Sequence, residues 1–249
     1  VKEKNIRITG FEIENNQCVI GWYDILIQPL EDNCSFCNNN LTGCMDGIAF
    51  GSSHNLRISN NSFNGFLNYA IMGDGNNITI CNNTFQNCSV CIWYAGNQSV
   101  ISDNLIINSS EAIDVIDTFN TAITNNVIKG CQMGVYIQSR CWYNTVAMNS
   151  FTNTTYGVGI DSLPIWTLDG PSGRNLITQN NFFNSSATFV YWILATHNNR
   201  WTKNYCSNWF GIGPKIIPGL LIYFIIWIPG VGSNSWQIPW KCFDWHPAK

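Results

Sequence analysis

Apolar residues recur in pairs along this chain, with an asparagine held between them. With h for an apolar residue the pattern is h-x-x-Asn-x-h. It reads Phe36/Asn39/Leu41, Ile58/Asn61/Phe63, Ile80/Asn83/Phe85, Ile101/Asn104/Ile106, Ile123/Asn126/Ile128, Val146/Asn149/Phe151 and Ile177/Asn180/Phe182. A degenerate copy, Trp201/Asn204, follows, and an earlier one, Ile8/Phe11/Ile13, has Phe in place of Asn. Successive asparagines from 39 to 204 are separated by 22, 22, 21, 22, 23, 31 and 24 residues. A sustained internal period of this length signals a solenoid.

Beyond its Asn, each copy carries a short alternating run behind a small residue. Examples are GIAF (47–50), AIMG (70–73), CIWY (91–94), AIDV (112–115), GVYI (134–137) and GVGI (157–160). Alternation with period two means strand, and Ile, Val, Phe and Tyr suit a half-buried pleated surface. No repeated segment sustains helical spacing with caps, and Asn, Gly and Ser between the runs supply turns. The regular leucines of a leucine-rich repeat are missing. The pattern predicts an all-β fold: a single right-handed parallel β-helix over residues 1–205, of eight or nine coils between Ile6 and Tyr205. Residues 206–249 are expected to form an apolar, aromatic cap or assembly tail.

Equivalent residues of stacked coils lie about 4.8 Å apart. An inward Asn at a bend can therefore donate to one neighbouring coil and accept from the other. Asn39, Asn61, Asn83, Asn104, Asn126, Asn149 and Asn180 are expected to form such an amide ladder. The plainer alternative is that Asn is simply common in turns.

Charge then narrows the function. Only 11% of the 249 residues are charged, and the net charge is −3, so the basic footprint of a nucleic-acid binder is absent. Eleven cysteines stand at Cys18, Cys34, Cys37, Cys44, Cys81, Cys88, Cys91, Cys131, Cys141, Cys206 and Cys242. This usage suggests disulfides in an oxidising exterior, or metal. The two Cys-x-x-Cys pairs, Cys34/Cys37 and Cys88/Cys91, raise a four-thiolate zinc site. They sit on opposite sides of the ladder position in different coils, which favours disulfides over zinc. Cys44, Cys88 and Cys131 share one offset on alternate coils and should not bond to one another. An odd total leaves at least one thiol free or paired with another chain, with Cys34 and Cys242 as candidates.

Ten Asn-x-Ser/Thr sequons mark Asn33, Asn40, Asn60, Asn77, Asn82, Asn87, Asn97, Asn108, Asn153 and Asn184 as acceptors for N-linked glycans. With the cysteines they indicate an extracellular or cell-surface protein, and the absence of a leader at Val1 is expected of a processed form. The run LLIYFIIWI between Pro218 and Pro229 is about nine residues, short of the roughly 20 a spanning helix needs. No membrane-spanning segment is expected; the run suits a strand or hairpin over the last coil, or contact with another subunit. The insertion SLPIWTLDGPSGR (162–174) is a candidate binding loop.

The Asn-bearing coils, the closing NYCSNW (204–209) and the tail FDWHPA (243–248) resemble NosD-like right-handed β-helix proteins, within the carbohydrate-binding and sugar-hydrolase β-helix group. In that family the repeat commonly closes with an Asn-Tyr-Trp-Ser-Asp-Trp type segment; here Cys206 and Asn208 depart from it. The resemblance, with the sequons and cysteines, implies an exported protein, of the kind that builds archaeal, methanogen-type surface layers and sheaths.

Polysaccharide-cleaving β-helices line a groove with acids. Asp24, Asp74, Asp117 and Asp161 fall nearly in one column on alternate coils, about 9–10 Å apart, at the outer limit for an inverting carboxylate pair. No Lys, Arg or His is expected in that column to tune them. The histidines His54, His197 and His246 are scattered, and no cofactor or metal is expected. Three readings result. The first is a self-assembling envelope, sheath or filament subunit whose partner is another copy of itself, glycosylated and disulfide-stabilised, with contacts through lateral faces, ends and the 216–231 segment. The second is a carbohydrate-binding solenoid using Trp93, Tyr94, Trp142 and Trp166. The third is a polysaccharide-cleaving enzyme.

Overall fold

In a computed structural model of the chain, side chains are described for residues 32–43, 45–160, 172–185 and 199–207. Strand backbones are also described at 7–9, 12–14, 25–27, 161–162, 189–192, 215–228 and 232–244. All described regular structure is strand, arranged in three sheets that each coil visits in turn. Sheet A has nine strands, from Arg7–Thr9 to Arg200–Thr202, and sheet B has nine, from Glu12–Glu14 to Tyr205–Cys206. Sheet C runs from Ile25–Ile27 through Asp46–His54, Tyr69–Asn76, Val90–Asn97, Glu111–Phe119, Met133–Ile137 and Tyr156–Ser162 to Phe189–Trp192. Pairing between coils is parallel throughout, which makes the fold a parallel β-solenoid. Beyond it, Lys215–Ile228 and Gly232–Asp244 form an antiparallel hairpin, joined to sheet C where Leu220 pairs with Tyr191.

The repeat read in the sequence is the register of the sheets. Phe36 pairs with Ile58, Ile58 with Ile80, Ile80 with Ile101, and the series continues through Ile123, Val146 and Ile177 to Trp201. The second apolar position stacks in sheet B, where Phe63 and Phe85 lie face to face at 4.8 Å, as do Phe151 and Phe182 at 4.9 Å. Three inward faces close on one dry core, in which these side chains are buried.

Between sheets A and B the chain turns at a single left-handed residue placed just before the ladder Asn. It is Asn38, Asn60, Asn82, Asp103, Asn125, Met148, Gln179 or Lys203, with φ between 56° and 60°. Asn and Asp tolerate this conformation best among residues with a Cβ. The same chemistry explains the abundance of sequons. Asn33, Asn60, Asn77, Asn82, Asn87, Asn108, Asn153 and Asn184 all adopt positive φ at corners, and all ten sequon asparagines are exposed.

The expected ladder is continuous. The backbone N–H and Nδ2 of each Asn donate to Oδ1 of the next, at 2.9–3.1 Å, from Asn39 through Asn61, Asn83, Asn104, Asn126, Asn149 and Asn180 to Asn204. From Asn61 onward the second Nδ2 hydrogen meets a carbonyl of the preceding coil, as in Asn104 to Ile80 at 3.0 Å. Each interior amide thus donates twice and accepts twice while nearly sealed from water, which removes the penalty of an unpaired buried polar group. A second ladder stands at the corner between sheets C and A. There Thr121 N–H donates to Asn144, Asn144 to Asn175 and Asn175 to Asn199, at 2.9–3.0 Å.

The cysteines correct one expectation. Cys34, Cys37, Cys81, Cys88, Cys91, Cys131 and Cys141 are buried thiols rather than disulfides, and Cys206 is buried as well. Cys37 and Cys81 share one column, separated by Ser59 of the intervening coil, and Cys88 and Cys131 share another, separated by Ser109. Cys18 and Cys44, and the side chain of Cys242, lie outside the described residues, as do the insertion core at 163–171 and the tail side chains.

Candidate functional site

The outward face of sheet C carries the densest chemistry in the described structure. Its strands bury Ile92, Tyr94, Ile113, Val115, Val135 and Ile137 inward, so alternation turns the residues between them outward. Register then stacks the outward residues. One column runs Tyr69, Val90, Glu111, Met133, Tyr156; the next runs Met72, Trp93, Asp114, Tyr136, Gly159.

Asp114 is the unusual member. It faces outward from its strand yet is only 4% exposed, placed between Trp93 and Tyr136 in its column. Gln138 closes over it, with Nε2 donating to both carboxylate oxygens at 2.8 and 2.7 Å. Burial pushes its pKa up to about 7, against those hydrogen bonds, and the charge of Glu111 adds to the rise. Burial likewise raises Glu111 and Asp46 above the usual carboxylate range. Asp46 accepts from Asn68 Nδ2 and Tyr69 N–H, both at 3.0 Å. The Tyr69 hydroxyl is raised by burial first, then by the surrounding charges of Asp114, Asp46 and Glu111. Its ring lies 6.2 Å from that of Trp93. The aromatic rings of Tyr69, Trp93 and Tyr136 and three carboxyls therefore share one patch.

The acid column expected from the sequence is partly assembled at the rim of the same face. Asp74 and Asp117 line one open hollow of about 340 Å³ together with Ser52, His54, Asn76 and Gly96. Ser52 Oγ donates to Asp74 at 3.1 Å. The expectation that no cation tunes the column is corrected: Arg140, on the corner of the next coil, pairs through Nε and Nη2 with both oxygens of Asp117. Asp24 and the side chain of Asp161 lie outside the described residues, as do His197 and His246.

Of the aromatics expected to bind sugar, Trp93 lies on this face and Trp142 at the corner beyond it, while Trp166 is outside the described residues. Tyr94 is corrected to a core residue, fully buried, its hydroxyl donating to Gly75 O at 2.7 Å and meeting Ser99 Oγ at 2.6 Å. Asp114, Glu111, Tyr69 and Tyr136 went unrecognised as a site. The Cys34/Cys37 and Cys88/Cys91 pairs stand at different corners, Cys34/Cys37 around the sheet A strand Ser35–Cys37 and Cys88/Cys91 at the entry to sheet C. Among the described residues no three or more His, Cys, Asp or Glu side chains come together to hold a metal.

Residues 5–213 match the model of the family described as periplasmic copper-binding protein (NosD). The solenoid is similar to the Dettilon tailspike protein, with a TM-score of 0.53, 18% identity, and coverage of 81% of this chain and 47% of that one. The hyperthermoactive exopolygalacturonase of Thermotoga maritima aligns with a TM-score of 0.48 and 11% identity over 87% of this chain and 58% of its own. The chain thus spans about half the length of these two structures. No curated protein matches it.

Proposed function

The chain belongs to the NosD family, and from that premise and the chemistry of sheet C we propose that it is a saccharide-binding β-solenoid acting outside the cytoplasm. The observation that carries this reading is the stacking of Trp93, Asp114 and Tyr136 in one column beside Tyr69 and Glu111 in the next. A pyranose ring has an apolar C–H face and a polar rim of hydroxyls. Aromatic rings take the first, and carboxylates and amides take the second. Stacked coils repeat such groups every 4.8 Å or so, which suits an extended chain of sugar units.

The described sheet C strands bearing this patch carry Asp46, Asp74, Glu111, Asp114, Asp117 and Asp161 and no Lys or Arg. A neutral glycan meets no repulsion there, whereas a polyuronate does. Copper, named in the family's description, finds no group of three or more candidate ligands among the described residues, and the proposed function does not involve it. The reading as a covalently linked envelope subunit loses one of its candidate thiols, because Cys34 is 2% exposed and faces the core.

Affinity electrophoresis through gels containing neutral β-glucans, a mannan, or polygalacturonate tests the proposal. Retardation of the wild type by one of the neutral polymers, lost in Trp93→Ala and absent in polygalacturonate, is expected. Unretarded migration in every neutral gel sinks the proposal.

A further inference from the structure

The solenoid holds a second chemical feature on a different corner, unrelated to the saccharide face. Where sheet B turns into sheet C, a surface hollow of about 550 Å³ has Cys88 at its edge, among Phe66, Asn87, Ser89, Ser109 and Gln132. Cys88 is 3% exposed and Cys91, three residues on, is fully buried beneath it. The two thiols lie close enough to influence each other's ionisation, and the Cys88 thiol donates to Gln86 O at 3.3 Å. The corner is built of small stacked groups: Cys88 N–H donates to Ser109 Oγ at 3.2 Å. Ser109 Oγ in turn donates to Ile107 O at 3.1 Å.

The two sulfurs are chemically unequal. Interaction with the neighbouring Cys91 thiol draws the Cys88 thiol down, against burial, and the backbone groups of Phe66, Gln86 and Gly65 add to this. Burial drives Cys91 well above an ordinary thiol. The thiolate is the attacking species in disulfide exchange, so the pair has a nucleophile at the hollow and a protonated partner behind it.

We infer that Cys88 and Cys91 form a redox-active dithiol, which exchanges with low-molecular-weight organic disulfides entering the hollow over Cys88. The Cys88 thiolate attacks one sulfur of R–S–S–R, forming a Cys88–S–S–R bond and releasing RS⁻. That anion takes the Cys91 proton as RSH. The Cys91 thiolate then attacks the Cys88 sulfur, the mixed disulfide breaks, and a second RS⁻ leaves, protonated by the proton Cys88 gave up. The net change is dithiol plus R–S–S–R to Cys88–Cys91 disulfide plus two RSH. Cys131 lies near but two coils from Cys88, about 9–10 Å at the coil spacing. That exceeds the Cα separation of about 7 Å a disulfide tolerates, so Cys91 is the resolving thiol.

Two substitutions copy what neighbouring coils already hold: Cys88→Ser reproduces Ser109, and Cys91→Ala reproduces Ala70 and Ala112. Each variant, checked by circular dichroism, is incubated in native form with oxidised glutathione and read by intact mass and by alkylation mapping after unfolding. The wild type is expected to lose two hydrogens, with Cys88 and Cys91 alone among 34–206 protected from alkylation. Cys91→Ala is expected to accumulate a glutathione adduct on Cys88, and Cys88→Ser to remain unmodified at Cys91. The inference is overturned if both thiols stay alkylatable, if Cys88 bonds another cysteine, or if folded Cys91→Ala takes up no adduct. None of these outcomes depends on saccharide binding.

Discussion

Replacing Asn104 by Leu probes what holds the coils in register. Asn104 Oδ1 accepts from the Asn83 N–H at 3.0 Å and from Asn83 Nδ2 at 3.1 Å, and its own Nδ2 donates to Ile80 O and Asn126 Oδ1, both at 3.0 Å. Leucine supplies none of these. Asn126 Oδ1 keeps the backbone N–H of residue 104, and Asn83 Nδ2 keeps Ile58 O. The Asn83 N–H loses its side-chain acceptor and Ile80 O loses its amide donor, in a region sealed from water. At about 1–3 kcal/mol for each buried group left short, the loss is roughly 2–6 kcal/mol. Apolar burial of the leucine offsets about 1–2 kcal/mol of that. A net destabilisation of about 3 kcal/mol is expected, a large part of the roughly 5–15 kcal/mol that stabilises a domain. Urea unfolding followed by far-ultraviolet circular dichroism measures it, with the slope compared to confirm that the unfolding unit is unchanged. A loss below about 0.5 kcal/mol at unchanged slope refutes the reasoning, because the amide column would then be filling space rather than satisfying partners.

Three further outcomes follow from the same geometry. Asp114 has a folded pKa near 7 against 3.8 unfolded, so the unfolded chain releases its proton first. Its contribution to stability falls as pH rises from about 4 to about 7 and is flat beyond, by roughly 4 kcal/mol at most; Asp114→Asn should flatten that slope in thermal melts across this range, and an unchanged slope contradicts the assignment. Gly96 has φ of +139°, and a Cβ there would lie 1.7 Å from Gly75 O, so Gly96→Ala should cost about 2–4 kcal/mol in urea unfolding, with neutrality as the contrary result. The Arg140–Asp117 pair is 40% and 36% exposed, so Arg140→Ala should lower stability by less than about 1 kcal/mol and the loss should vanish in high salt.

The solenoid was legible because its repeated positions are the register itself: an Asn every 22 residues or so is an amide over an amide. The second ladder was not, because Asn stands there only at 144, 175 and 199, while Thr121 and Ser99 precede it and Ile78 earlier still. Hydroxyls and an apolar side chain in one column hide a period that a single repeated letter displays. Tyr94 was misjudged for a different reason. Its run CIWY gives no sign of which parity faces the core until the pairing of Ile92 with Ile71 and Ile113 fixes it. The same parity turns Asp114 outward, and its burial arises from Trp93, Tyr136 and Gln138, which stand 21, 22 and 24 residues away. Stepping by one coil from Trp93 lands on Asp114, so the signal existed in the sequence, but only the sheet makes the step mean contact. The number of cysteines points to disulfides, but number alone does not report that a solenoid interior accepts Cys as a small apolar residue.

The most direct test of the saccharide face is isothermal titration of the intact chain with the oligosaccharide of whichever neutral polymer retards it. Wild type, Trp93→Ala and Trp142→Ala are compared, since Trp142 sits at the corner beyond the patch. The account predicts at least about tenfold weaker binding for Trp93→Ala, equivalent to about 1.4 kcal/mol, with Trp142→Ala within twofold of wild type. Equal affinity of Trp93→Ala and wild type, or a loss confined to Trp142→Ala, contradicts it.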